Sequence, residues 1–341
     1  MPLYSDILKQ AARITWRHKY LWLFGILATA VGGTIETQLI YAGFGEPNNF
    51  WLNWRQFLAA GPANGINWQV FSNLRQALWS APGSVALMLL IALIIVALYL
   101  LFLAVASWAQ AALVNNTALM IKYQSTTVAQ SDDGVSALQP GLKLGLSAGR
   151  QYLWPVFGLN AGFKFLAGLI FYVVSVTFLL AYHPSLVAFL AGGALFIVLA
   201  AGLALLALLT RYAIGFLILE KQKFWPAVLN AWRLFVANWL VSVEMSFILF
   251  FSQLLGSAVI ILAVVSSTIP VLIVLNLFWA WQWSAAVLWL FFLMMILFYA
   301  LLVWGYAVLA VFQISIWTGL FLRLREGTAQ SKILRVFSGK M

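Results

Sequence analysis

A chain of 341 residues with 64% hydrophobic and only 8% charged residues cannot bury its apolar side chains in a soluble core, so its solvent is lipid. The net charge of +11 does not make it a nucleic-acid binder, because the basic residues sit at the ends of apolar spans, where they set topology. Cysteine is absent and the two histidines, His18 and His183, are far apart in the chain, which leaves no disulfide framework, no thiolate nucleophile and no basis for a metal cluster; no cofactor is expected.

One unit recurs along the chain. Leu8–Leu27 reads LKQAARITWRHKYLWLFGIL: an amphipathic segment, an aromatic step at Tyr20-Leu21-Trp22, then an apolar run. Pro140–Leu159 reads PGLKLGLSAGRQYLWPVFGL, with the step at Tyr152-Leu153-Trp154 in register. A looser copy begins at Phe224, FWPAVLNAWRLFVANWLVSV, with its step at Trp239-Leu240. The fold class that follows is all-α: a polytopic transmembrane helical bundle of about six spans, in three repeats of an amphipathic elbow plus a helical hairpin. The single membrane domain divides into repeats at about 1–123, 124–223 and 224–325, followed by a basic tail, 326–341.

In chain order, Ser5-Asp6 is a helix start, and the helix carries Lys9, Arg13 and Arg17 at i, i+4, i+8 with Ile7, Ala11 and Ile14 on another face. This is an interfacial helix whose basic stripe suits anionic lipid head groups, unless it is simply a positive-inside anchor. Ala28-Thr29-Ala30 resembles a signal-peptide cleavage site, but recurrence of the same step deep inside the chain argues against a cleaved leader. The first span runs from about Tyr20 to Ile35, with Glu36 near its outer end. Residues 46–82 form an outer interfacial segment, polar but punctuated by Trp51, Trp54, Phe57, Trp68, Phe71 and Trp79; a ligand-binding cap is the alternative.

The second span is apolar from Val85 to Ser107 and keeps a helical pattern to Lys122. Roughly 40 residues make about 60 Å of helix, twice the hydrocarbon thickness, so its end projects beyond the membrane. The fourth span, Leu186 to Lys221, and the sixth, Ser284 to Arg323, end in the same basic fashion. Asp132-Asp133-Gly134 reads as a solvated turn. Gly141, Gly145 and Gly149 then make a smooth helical stripe for close packing, as do Gly158 and Gly162 within the third span, Tyr152–Leu180. The fifth span covers about Trp239–Val265, and Val271–Phe278, after Pro270, is too short to cross, so it reads as re-entrant or interfacial.

Basic residues before the first span, between the second and third, between the fourth and fifth, and after Arg323 all fall on one side, with only Arg55 and Arg75 on the other, which puts both termini in the cytoplasm. Lys164 is the basic residue deepest in an apolar span, eleven residues past Leu153, or about 16 Å below the step. A lone ammonium there is costly, so a partner is expected, Glu36 by depth, Glu244 as the more secure intramembrane carboxylate, or a polar neighbour such as Asn160.

The elbow, step and span pattern in YSDILKQAARITWRHKYLWLFGIL and FWPAVLNAWRLFVANW is similar to that of the prokaryotic six-helix membrane families that include the membrane domain attached to some glycerophosphoryl diester phosphodiesterases. The resemblance implies a multi-pass module of a prokaryotic cytoplasmic membrane. In those fusions catalysis resides in a separate soluble barrel, which no segment here can form, so the activity is not carried over. The expected function is a non-enzymatic module that interacts with membrane lipids, chiefly anionic ones, or with a partner protein or second copy; the alternative is a small-solute or lipid transporter with a site near Lys164. The topology is testable in this naturally cysteine-free chain. Single cysteines at Asn64 and Ser331 are expected to react with an impermeant thiol reagent from opposite sides of the membrane, and same-side labelling refutes the arrangement.

Overall fold

The computed structural model describes residues 3–29, 82–129, 141–180, 186–280 and 284–327, and these are all-helical. Eight helices follow in order: α1 Leu3–Arg17, α2 Leu21–Thr29, α3 Pro82–Ala129, α4 Leu142–Leu180, α5 Leu186–Leu219, α6 Phe224–Ala237, α7 Trp239–Ala280 and α8 Ser284–Arg325. Five of them contain stretches long and apolar enough to cross a membrane: Val85–Tyr123, Leu142–Ile170, Ile197–Leu219, Trp239–Val274 and Trp289–Arg325. The outer part of the expected first span, with Glu36, and all of the segment 46–82 except Pro82 lie outside the described residues, as do Asp132-Asp133-Gly134 and His183.

At 48 residues α3 extends about 72 Å, well beyond the hydrocarbon thickness. Two readings are corrected. Val271–Phe278 is no separate re-entrant piece, because α7 continues through Pro270 to Ala280. Pro270 removes the backbone bond to the Ser266 carbonyl, and in the turn before it the Ser267 and Thr268 hydroxyls both donate to the Val264 carbonyl, at 2.7 and 2.9 Å. The second copy also lacks an elbow: α4 runs unbroken from Leu142 through the aromatic step and Pro155. The carbonyl that Pro155 frees is that of Gln151, an exposed residue near the helix start.

The described residues divide into two compact units, one of 3–29, 105–129, 141–156, 212–280 and 284–327, the other of 82–104, 157–180 and 186–211. The first is assembled around α8, against which α1, α2 and α7 pack. Lipid tails are as apolar as leucine, so helices associate through tight van der Waals contact, which small residues permit. A Cβ on Gly25 of α2 would lie 2.5 Å from the Ala307 carbonyl oxygen, and one on Gly305 would lie 2.7 Å from Ile260. Gly215 of α5 likewise sits under the Phe321 ring. A core of Ile14, Leu21, Phe24, Ala109, Ala112, Leu113, Met120 and Val311 joins α1, α2, α3 and α8.

In the second unit, Leu103 of α3, Leu159 and Ala167 of α4, and Leu199 and Leu203 of α5 are buried. Leu87 through Phe102 of α3 carry large apolar side chains that are exposed on almost every side, as a lipid-facing helix requires. Glycine contacts yield a paired prediction. Gly25→Ala is expected to cost about 1–3 kcal/mol through overpacking against fixed backbone, whereas Gly162→Ala, with nothing within 4 Å of the added methyl, leaves stability unchanged or slightly raised. Thermal melting of the two detergent-solubilised variants checks this, and equal effects would refute it.

Candidate functional site

The sequence singles out α1, and its two faces separate cleanly. Ile7, Ala11, Ile14 and Thr15 are buried, with Ile7 against Gly319 of α8, while Lys9, Arg13, Arg17 and Lys19 are exposed beside Trp16. Lys9, Arg13 and Arg17 make no hydrogen bond or ion pair among the described residues. The helix is held rigidly: Thr15 Oγ1 donates to Ala11 O at 2.8 Å, and the Trp22 indole of α2 donates to Thr15 O at 2.9 Å across the elbow. Leu21 N and Trp22 N donate to His18 O and Lys19 O, turning the chain from α1 into α2. Trp16, Trp22 and Trp304 stack edge to face in series, with centroids 5.8 and 5.3 Å apart.

The second elbow, α6, was not singled out as a site by sequence. Its buried face is small, Ala227 and Ala231, whereas Trp225, Leu229, Trp232 and Val236 form an exposed apolar stripe at i, i+4, i+7 and i+11, flanked by exposed Lys221, Lys223 and Arg233. That spacing is legible once the elbow is recognised. Its polar side is tied down by a relay in which Asn230 Nδ2 donates to Gln222 Oε1, Gln222 Nε2 donates to Glu220 Oε2, and Arg325 Nε pairs with Glu220 Oε1. α6 ends at Asn238, whose backbone N–H reaches Leu234 O and Phe235 O and whose side-chain amide also donates to Leu234 O. Lys221 takes a left-handed φ of 52° where α5 stops, and Gln222 N closes back onto Phe216 O.

Two of the three candidate intramembrane charges lie among the described residues. Glu36 lies outside the described residues. Lys164 is half-buried on α4 in the second unit, with an interaction partner. Glu244 is half-buried on α7 in the first unit, where the Tyr4 hydroxyl donates to Oε2 and thereby fastens the first turn of α1 to α7. Of the glycine stripes, Gly145 lies under Asn116 and Phe24, Gly149 lies under Trp108, and Gly141 accepts from Gly145 N where α4 begins. Gly158 is exposed and Gly162 has open space over it, so Gly162 makes no close helix contact among the described residues; the span places that part of α4 toward lipid.

Comparison with protein-family models, curated proteins and solved structures finds no match to this chain.

The elbow carries a titratable group, the partly buried His18, whose ring lies 6.1 Å from that of Tyr20. Burial disfavours its charged form and the Arg17 charge beside it adds to this, so its pKa falls below the ordinary 6.5. As pH falls the unfolded chain binds the proton first; stability is complete above 6.5 and declines through that value until the folded imidazole charges too. Melting temperature is expected to be lower at about pH 5.5 than at about pH 7.5, with His18→Gln flattening the difference. Superimposable pH profiles for the two proteins would refute this role.

Proposed function

We propose that this chain is a multi-pass protein of a prokaryotic cytoplasmic membrane, both termini inside, whose elbow helices α1 and α6 bind the membrane surface and collect anionic lipid. It is a non-enzymatic lipid-interacting module. The observation that carries this reading is the arrangement of Lys9, Arg13 and Arg17, exposed in a row and without partners among the described residues, on a helix whose other face is buried. Three cations held on a fixed edge present a preorganised surface to phosphate-bearing head groups, whereas freely rotating tails must be ordered on binding. Support comes also from α6, where Trp225 and Trp232 sit on an exposed apolar stripe between basic residues, the composition of a helix lying in the interface. The elbow-and-span pattern of the first and third copies supports grouping the chain with membrane domains like those attached to glycerophosphoryl diester phosphodiesterases.

Each basic residue at an anionic surface contributes about 1 kcal/mol, so Lys9→Gln/Arg13→Gln/Arg17→Gln together are expected to lose about 3 kcal/mol of lipid attraction before screening. The test uses the full chain, purified in mild detergent, with its co-isolated lipids identified by mass spectrometry. The native protein is expected to be enriched in anionic over zwitterionic lipid, and the triple variant to lose that enrichment while melting normally. An unchanged lipid profile would show that the stripe serves topology alone.

A further inference from the structure

Buried polar atoms without partners gather on α3 and α8 in the first unit. Asn116 and Thr117 of α3 are 0% exposed and Ser315 of α8 is 1% exposed. Both amide atoms of Asn116, Oγ1 of Thr117 and Oγ of Ser315 find no hydrogen-bond partner among the described residues. Buried polar groups nearly always have one. Elsewhere in these helices the hydroxyls turn back on their own backbone: Thr15, Thr210, Ser242, Ser246 and Thr318 each donate to the carbonyl four residues earlier, at 2.7 to 2.9 Å. Thr117 and Ser315 make no such bond.

A Cβ on Gly319 of α8 would lie 3.6 Å from Cδ1 of Ile121 on α3, and two turns earlier Val311 and Leu113 belong to one core cluster. Thr117 lies between Leu113 and Ile121 on α3, and Ser315 between Val311 and Gly319 on α8. Asn116, next to Thr117, turns its amide onto α4. A Cβ on Gly145 would lie 2.5 Å from Asn116 Nδ2 and 3.1 Å from the Phe24 ring, so only glycine admits the amide there.

We propose that this junction of α3, α4 and α8 binds ordered water, which bridges the Asn116 amide and the Thr117 and Ser315 hydroxyls. The chemistry selects the ligand. Amide and hydroxyls together offer donors as well as acceptors, which water matches and a cation, needing acceptors alone, does not. No acidic side chain is among the buried polar residues of the described chain, so nothing there balances a divalent ion. In an apolar helix bundle such water supplies the partners that lipid cannot.

The test uses full-length protein in detergent. Thr117→Val, Ser315→Ala and Asn116→Leu remove the polar atoms with little change in shape. A dry, unpartnered group is better replaced by an apolar one, so melting temperature would rise; a group bound to water loses its partner, so melting temperature falls. Each single variant is expected to melt lower, with the Thr117→Val/Ser315→Ala pair losing less than the two singles combined, as a shared bridge requires. Pulsed radiolysis of the native protein gives a readout that needs no variant to fold: with radicals formed from adjacent bound water, the ring of Phe24, 1% exposed, is expected to be hydroxylated and Met120, 2% exposed, to be oxidised to its sulfoxide. Raised melting temperatures, or Phe24 and Met120 left unmodified, overturn the proposal. So does a melting temperature that rises with sodium but not with choline in the native protein and not in the variants, which would make the ligand a cation.

Discussion

Close approach of helices to α8 is the constraint on which the first unit depends. In water, burying leucine would suffice to hold helices together; in lipid that force is absent between helices, and contact geometry must replace it. The chain meets this with glycine at the crossing points. Gly25 brings α2 onto the Ala307 carbonyl, Gly215 brings α5 under Phe321, and Gly256 and Gly305 let α7 and α8 mesh with Leu309 and Ile260. The large apolar side chains then face outward. Phe247, Phe251, Leu254 and Leu255 of α7 and Trp289, Phe292 and Ile296 of α8 are exposed, inverting the usual arrangement because the surrounding solvent is hydrocarbon.

The elbows follow from where the chain can afford a break. At His18–Tyr20 and at Asn238 the backbone turns, and each turn is furnished with local bonds that satisfy the interrupted ladder. The second copy has no such break. Gly145 and Gly149 press α4 onto Asn116, Phe24 and Trp108 before the aromatic step arrives, so the segment that would lie along a surface is already packed on protein and continues straight. Sequence similarity between copies thus conceals a difference in what each copy packs against: Lys9, Arg13 and Arg17 occupy one face in the first, and glycines the corresponding positions in the second.

Much of this was legible in the chain because run-length and break residues report directly on helices in lipid. The ends at Leu180, Leu186, Leu219, Trp239 and Ser284 coincide with changes from apolar runs to polar or aromatic punctuation. The separation of Ile7, Ala11 and Ile14 from Lys9, Arg13 and Arg17 follows from helical periodicity alone. Pro270 misled because the rule that proline ends a helix is calibrated on water, where a freed carbonyl finds solvent and the helix gains nothing by continuing. The Tyr4–Glu244 bond was not readable at all, since it joins residues 240 apart whose proximity exists only after α1 and α7 have docked. Asn116 and Ser315 were equally silent: a polar residue in an apolar run shows its importance only when its surroundings are known.

Polar pairs between helices do what glycine contacts alone cannot, which is to choose one register among several. Along α5 and α8, Tyr212 meets Trp317, Phe216 meets Phe321 and Glu220 pairs with Arg325, all at one offset of 105 residues, so the two helices run parallel with the ion pair closing the last turn. Along α7 and α8, the Gly256–Leu309 and Gly305–Ile260 contacts define an antiparallel register, and Gln313, whose Nε2 donates to Gln253 Oε1, falls in the same register one turn on. An apolar interface of leucine and isoleucine tolerates slippage with modest loss. A slipped amide or carboxylate is instead left without a partner in hydrocarbon, which costs about 1–3 kcal/mol for a neutral group and more for a charged one. The penalty for the wrong register is therefore larger than the gain from the right one, and Gln253, Gln313 and Tyr212 act mainly by making alternatives to the observed packing unfavourable, whereas Glu220, whose partner Arg325 is exposed, adds little.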